Sequence, residues 1–280
     1  MSYLFGRLPI RTVLCVVSTM AVAFVLAACG EAGDQELAFE LTGNGKSAKF
    51  TSPESAESGK AEITFTNNGD AASDMQLLRI EGDHTPEEVV EGLGKATQGK
   101  PFPGWFFAGG GTSTVRPGKS ATVTQVLEPG AYYAVSTAGS PPDPESLVSV
   151  EVTGDESDEE LEAGTTITAS EYKFEAEGLK AGENEIDFRN AGAQPHHLLI
   201  SKLVGDATAG DVEKAFKSGN RKPPIEEKGG LATAVIEGGE SQLIDFDLKP
   251  GRYAFYCFIT DRQGGPPHAI KGMVDEFEVE

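Results

Sequence analysis

The chain has 280 residues, enough for two domains of ordinary size, and 44 acidic against 23 basic side chains give it a formal charge of −21. That balance excludes nucleic acid as a partner, because phosphate binding needs clustered Lys and Arg. It also argues against electrostatic adhesion to anionic lipid.

The first 29 residues read as a leader. Arg7 and Arg11 form a positive n-region, and Thr12 to Val25 is an apolar run too short to span a bilayer comfortably. It ends in Leu26-Ala27-Ala28-Cys29-Gly30, which resembles the bacterial lipobox. The resemblance implies lipidation of Cys29 and a cell-membrane anchor, with the protein facing outside the cytoplasm. The competing reading is an ordinary secretory signal with an incidental Cys29. With the leader gone and Cys29 carrying lipid, Cys257 is left without a disulfide partner, and a lone thiol in an exported protein calls for an explanation. A buried cysteine acting as a small hydrophobe is the plain one.

Residues 30–36 read as a polar tether. Residues 37–153 then read as short strands broken by Gly, Pro and Asn. Ala61 to Phe65, Gln76 to Ile80, Ala121 to Val126 and Leu147 to Val152 alternate apolar and polar positions, the signature of half-buried strands. One helix interrupts them. Thr85-Pro86-Glu87-Glu88 is a capping box with Pro at the first helical position, and Val89, Val90 and Leu93 supply an apolar face. Residues 154–164 carry six carboxylates in the stretch Thr153 to Gly164, which reads as a self-repelling linker. They lack the glycine and the acidic spacing of a calcium loop.

The second half repeats the first. Thr66 to Ile80 aligns without gaps to Arg189 to Leu203, and Leu127-Glu-Pro-Gly-Ala-Tyr132 matches Leu248-Lys-Pro-Gly-Arg-Tyr253. Thr85 matches Thr208, which heads a second short helix with Asp211 three residues on. Two copies of one domain are expected, at 37–153 and 165–280. The copies differ in their chemistry. Ser73 stands where His196 stands and Ser136 where Cys257 stands, while Pro141 and Ser146 fall near His268 and Met273. Joint loss of all four side chains is what a bound ion predicts.

A thiolate, two imidazoles and a thioether form the donor set of a blue-copper centre. Asn190-Ala-Gly-Ala-Gln-Pro-His196, Pro250-Gly-Arg-Tyr-Ala-Phe-Tyr-Cys257 and His268-Ala-Ile-Lys-Gly-Met273 resemble the copper-binding segments of plastocyanin-like cupredoxins. The resemblance covers residues 164–280 well. It implies an all-β fold of two tandem cupredoxin-like Greek-key β-sandwiches, each with a short inserted helix. It also implies one copper ion in the second copy, held by His196, Cys257, His268 and Met273, with electron transfer to or from a redox partner protein as the role. One departure is the ten residues from Phe258 to Pro267 between cysteine and histidine, where small cupredoxins have fewer.

Adjacent strand residues face opposite ways, so His197 is expected at the surface or in packing rather than on the ion. His84 is expected to face solvent. The aromatic run Pro101-Phe-Pro-Gly-Trp-Phe-Phe107 is expected to cap the sandwich or a domain interface, with a partner contact as the alternative. No enzyme is expected: Tyr256 and Phe258 flank Cys257 where a histidine would link to a second metal, and the chain has only four histidines. The alternative to a copper protein is a metal-free scaffold or binding lipoprotein of the same fold.

Overall fold

Alternation of buried and solvent-facing side chains builds almost every element. In the computed structural model, which describes residues 34–43, 48–138, 142–220 and 222–280, Ala61, Ile63 and Phe65 are wholly buried while Glu62 between them is exposed. The leader, Cys29 with its lipidation, and Pro141 lie outside the described residues.

The strands in chain order are β1 (Gln35–Gly43), β2 (Lys49–Thr51), β3 (Ser55–Glu57), β4 (Gly59–Gly69) and β5 (Ser73–Ile80). Helix α1 (Pro86–Thr97) follows, then β6 (Phe106–Val115), β7 (Lys119–Leu127), β8 (Gly130–Val135) and β9 (Val148–Thr153). The second half holds β10 (Thr165–Ser170), β11 (Lys173–Glu177), β12 (Gly182–Asn190), β13 (Leu199–Lys202) and α2 (Ala209–Lys217). It closes with β14 (Leu231–Ala232), β15 (Ser241–Leu248), β16 (Gly251–Tyr256), α3 (His268–Lys271) and β17 (Val274–Val279). The fold is all-β, as expected. β1 begins at Gln35, inside the stretch read as tether. Helices α1 and α2 open on capping boxes, Thr85 with Glu88 and Thr208 with Asp211.

The same pairing order appears in each half. β1 runs parallel to β4 and β4 antiparallel to β7; β10 runs parallel to β12 and β12 antiparallel to β15. Opposite them, β5 pairs β8 and β8 pairs β9, as β13 pairs β16 and β16 pairs β17. The local devices recur too. The Asn67 carboxamide donates to Ala71 O and Val115 O (both 2.8 Å) and accepts from Gly69 N–H (2.9 Å). Asn190 donates to Gln194 O (2.8 Å) and Ile236 O (3.2 Å) and accepts from Gly192 N–H (3.0 Å). Tyr132 and Tyr253 each donate their hydroxyl to the carbonyl four residues back.

The two halves share one sheet. β15 pairs antiparallel with β7, giving the eight-stranded order β11-β10-β12-β15-β7-β4-β1-β2. One apolar core runs through both, from Leu37 and Phe65 to Phe188, Phe255 and Val279. The acidic run is held against the fold. Lys60 N–H donates to Glu159 Oε2 (2.7 Å), Ser58 Oγ to Asp155 O (2.5 Å) and Arg189 Nη2 to Leu161 O (2.8 Å), and Leu161 is buried. Among the described residues, no helix is long and apolar enough to cross a membrane.

Candidate metal centre

Three segments meet at one end of the second half. His196 precedes β13 and is bridged to Ile236 by two backbone hydrogen bonds, His196 N–H to Ile236 O (3.0 Å) and Ile236 N–H to His196 O (2.9 Å). The Asn190 carboxamide fixes the turn that delivers it. Cys257 follows the last residue of β16. The chain then leaves for ten residues and returns, where Ala269 N–H donates to Cys257 O (2.7 Å) and His268 N–H to Ile259 O (2.8 Å). α3 is a single turn. Gly272 ends it at φ 111°, a left-handed conformation that favours glycine, and turns Met273 into the core.

This brings together three of the four expected donors. A nitrogen of His196, a nitrogen of His268 and the sulfur of Cys257 lie within 4.8 Å of one another, and all three residues are wholly buried. His268 Nδ1 is 3.6 Å from Cys257 Sγ and 3.0 Å from His196 Nδ1. Met273, also wholly buried, shares the apolar cluster of Cys257, and its N–H donates to His268 O (3.0 Å).

The tautomer of His268 follows from its other face. Nε2 lies 3.0 Å from Asp261 Oδ1, so Nε2–H donates to the carboxylate and Nδ1 is left as a bare lone pair facing the triad. Asp261 also accepts from Tyr172 (3.0 Å) and pairs with Lys271. Burial opposes its charge, but these hydrogen bonds win and hold the carboxyl below the usual carboxylate range. Burial lowers His268, with Asp261 pulling the other way, and burial together with neighbouring His268 pushes His196 down to about 4. Burial raises the Cys257 thiol to about 12. Two neutral imidazoles therefore face a protonated thiol at neutral pH.

His197 stands apart from the triad, as expected. Its Nε2 accepts from Phe258 N–H (2.9 Å), and burial pushes it down to about 3. His84 corrects its expectation. Its ring stacks on Trp105 at 3.7 Å and hydrogen-bonds Glu88 (3.3 Å), because an aromatic face offers the imidazole more than water does. In the first half, Ser73 Oγ and Ser136 Oγ are hydrogen-bonded at 2.8 Å where the aligned His196 and Cys257 meet. Ser136 Oγ and the Thr137 and Ala138 N–H groups donate to Asp74.

Asp261 and Arg262 were not singled out from sequence. A loop without periodicity gives no signal for them. Their one clue was loop length, since ten residues leave room for a support of their own. The aromatic run supplies the other side of that support. Phe102 N–H donates to Arg262 O (2.8 Å), Gly265 N–H to Gly99 O (2.9 Å), and Arg262 lies over the rings of Phe102 and Phe107.

No family model matches the sequence, and no curated protein is similar to it. Among solved structures, the chain is similar to a reduced auracyanin from the photosynthetic bacterium Roseiflexus castenholzii, at 24% identity over 41% of this chain and 94% of that one, TM-score 0.28. It is similar to an azurin from the methylotroph Methylomonas sp. strain J, at 17% identity over 41% and 95%, TM-score 0.26. It is also similar to a Cu-containing nitrite reductase from Thermus scotoductus, at 12% identity over 88% and 61%, TM-score 0.22.

Proposed function

We propose that this chain is a cupredoxin-type copper protein that holds one copper ion through His196, Cys257 and His268, with Met273 completing the set. The observation that carries the reading is the convergence of two imidazole nitrogens and a thiol sulfur in a wholly buried site. The residues fit the ion. Thiolate and thioether favour the reduced metal, imidazole suits both oxidation states, and structural zinc does not use thioether. When bound, copper supplies one-electron transfer. The protein's own part is to keep water from the thiolate and to fix the ring of His268 through Asp261.

The role is electron carriage with a redox partner protein, not catalysis. The lipobox-like leader supports anchoring through Cys29 on the outer side of the cell membrane. The first half is a ligand-free duplicate of the second; the repeated Asn and Tyr devices and the Ser73–Ser136 pair support that reading. A metal-free scaffold is the second reading, favoured by one observation: a His196 Nδ1–H can donate to His268 Nδ1 at 3.0 Å and close the site without an ion.

The test is a Cu(II) titration of residues 30–280 followed by visible absorption. An intense blue band saturating at one equivalent, absent from Cys257→Ser, is expected. A colourless protein whose thermal stability copper does not change would overturn the proposal.

A further inference from the structure

Two opposite charges stand together behind the ring of His268. Asp261 Oδ1 accepts from its Nε2–H (3.0 Å), and Lys271 pairs with Asp261 Oδ2. Lys271 lies three residues beyond His268 on the single turn of α3, which sets both side chains on one face. Tyr172, in the turn between β10 and β11, ties the two charges to each other. Its hydroxyl donates to Asp261 Oδ1 (3.0 Å) and accepts from Lys271 Nζ (2.9 Å). Its ring packs edge-on against His268 with 5.1 Å between centroids, and Lys271 Nζ lies 4.8 Å from the centre of the same ring. The side chains of Asp261 and Lys271 are 19% and 21% exposed, so water screens their charges only in part.

The field at the donors leans negative, and Lys271 opposes it. Asp261 and Glu171 act on His268 as negative charges, and Lys271 acts against them. The same two carboxylates act on His196. Oxidation of a bound copper ion adds one positive charge to the site. Nearby carboxylates therefore favour the oxidised ion, and a nearby ammonium favours the reduced one. The chain carries 44 acidic against 23 basic side chains, so a lysine fixed at this point by a tyrosine and a carboxylate works against the field of the whole.

We propose, on the copper reading above, that Lys271 sets the balance between the two oxidation states of the bound ion, holding it toward the reduced form against Asp261 and Glu171. Tyr172 is a positioning residue, whose hydroxyl keeps the ammonium beside the carboxylate.

The full chain, loaded with copper, is titrated potentiometrically and followed by its visible band. Lys271→Met keeps the length of the side chain and drops its charge. The ratio of Cu(I) to Cu(II) affinity is expected to fall about tenfold, a potential about 59 mV lower for one electron. Lys271→Arg keeps the charge and the parent's ratio. Asp261→Asn keeps an acceptor for His268 and shifts the ratio the opposite way. The double variant Asp261→Asn/Lys271→Met returns toward the parent, because opposite charges cancel; a merely structural role would add the two losses instead. In the metal-free chain, nitrogen NMR finds the His268 proton on Nε2 in the parent and in both Lys271 variants. A blue parent whose ratio Lys271→Met leaves unchanged overturns this proposal alone. So does Lys271→Arg shifting the ratio as far as Lys271→Met, or loss of the Nε2 proton in Lys271→Met, which would mean a displaced ring. A parent that takes up no copper overturns the copper reading and this proposal with it.

Discussion

The guanidinium of Arg262 sits 4.5 Å from the centre of the Phe107 ring, and its Nη1 reaches Glu237 Oε1 at 2.7 Å. Arg262 belongs to the loop between two proposed ligands, and Phe107 to the other half of the molecule. The same guanidinium donates to Phe106 O (3.0 Å) and Pro103 O (3.3 Å). Burial raises the Glu237 carboxyl, so its charge depends on what surrounds it. The first half thus holds the ligand loop in place.

Arg262→Ala removes the partner of a carboxylate whose side chain is only 10% exposed. Breaking such a pair from one side costs about 3 kcal/mol, because the other charge stays buried. Urea denaturation will show that loss, and adding Glu237→Gln will restore more than half of it. Strict additivity of the two changes would refute the coupling.

Asp261→Ala leaves the donor triad untouched but frees the ring of His268. Loss of a carboxylate behind a ligating histidine weakens metal binding by about 10- to 100-fold. Competition with a copper chelator measures it. An unchanged affinity would show that α3 alone orients the ring.

Copper uptake is expected to release one proton at neutral pH. His196, pushed down to about 4, is already neutral there, while the Cys257 thiol, pushed up to about 12, must ionise. Apparent affinity therefore rises about tenfold per pH unit between roughly pH 5 and 9, and more steeply below 4, where His196 is also protonated. Calorimetry in buffers of differing ionisation heat counts the proton. A flat profile from pH 6 to 9 would mean that the thiolate exists before the metal arrives.

Gly264 has φ +79°, and a Cβ there would meet Gly99 O at 2.7 Å, across the contact between ligand loop and first half. Gly264→Ala is expected to cost about 2 kcal/mol or more, combining left-handed strain with that collision. Gly239, at φ +92° with open space around it, is the control that carries the strain alone. Equal melting temperatures for the two alanine variants would deny the close approach.

The strands, the two capping boxes and the segments that carry His196, Cys257 and His268 were legible in the sequence because each is a local pattern. Ala61 to Phe65 alternates, Thr85 precedes Glu88 by three, and Asn190 precedes His196 by six. Asp261 was not legible, since only the return of the chain through Ala269 and Cys257 sets it behind His268. The joining of β7 to β15 was hidden for the same reason. Each strand alternates correctly by itself, and nothing local says that Val123 lies beside Ile244. His84 misled because a histidine before a cap has no sequence cue for a tryptophan that arrives from twenty-one residues on.

The β7–β15 seam has a consequence for any attempt to halve the molecule. Severing the chain at the acidic run would strip each piece of its neighbour and leave a bare strand edge on both. Unpaired edges recruit whatever strand they meet, so each fragment would tend to self-associate rather than stand as a smaller version of the whole.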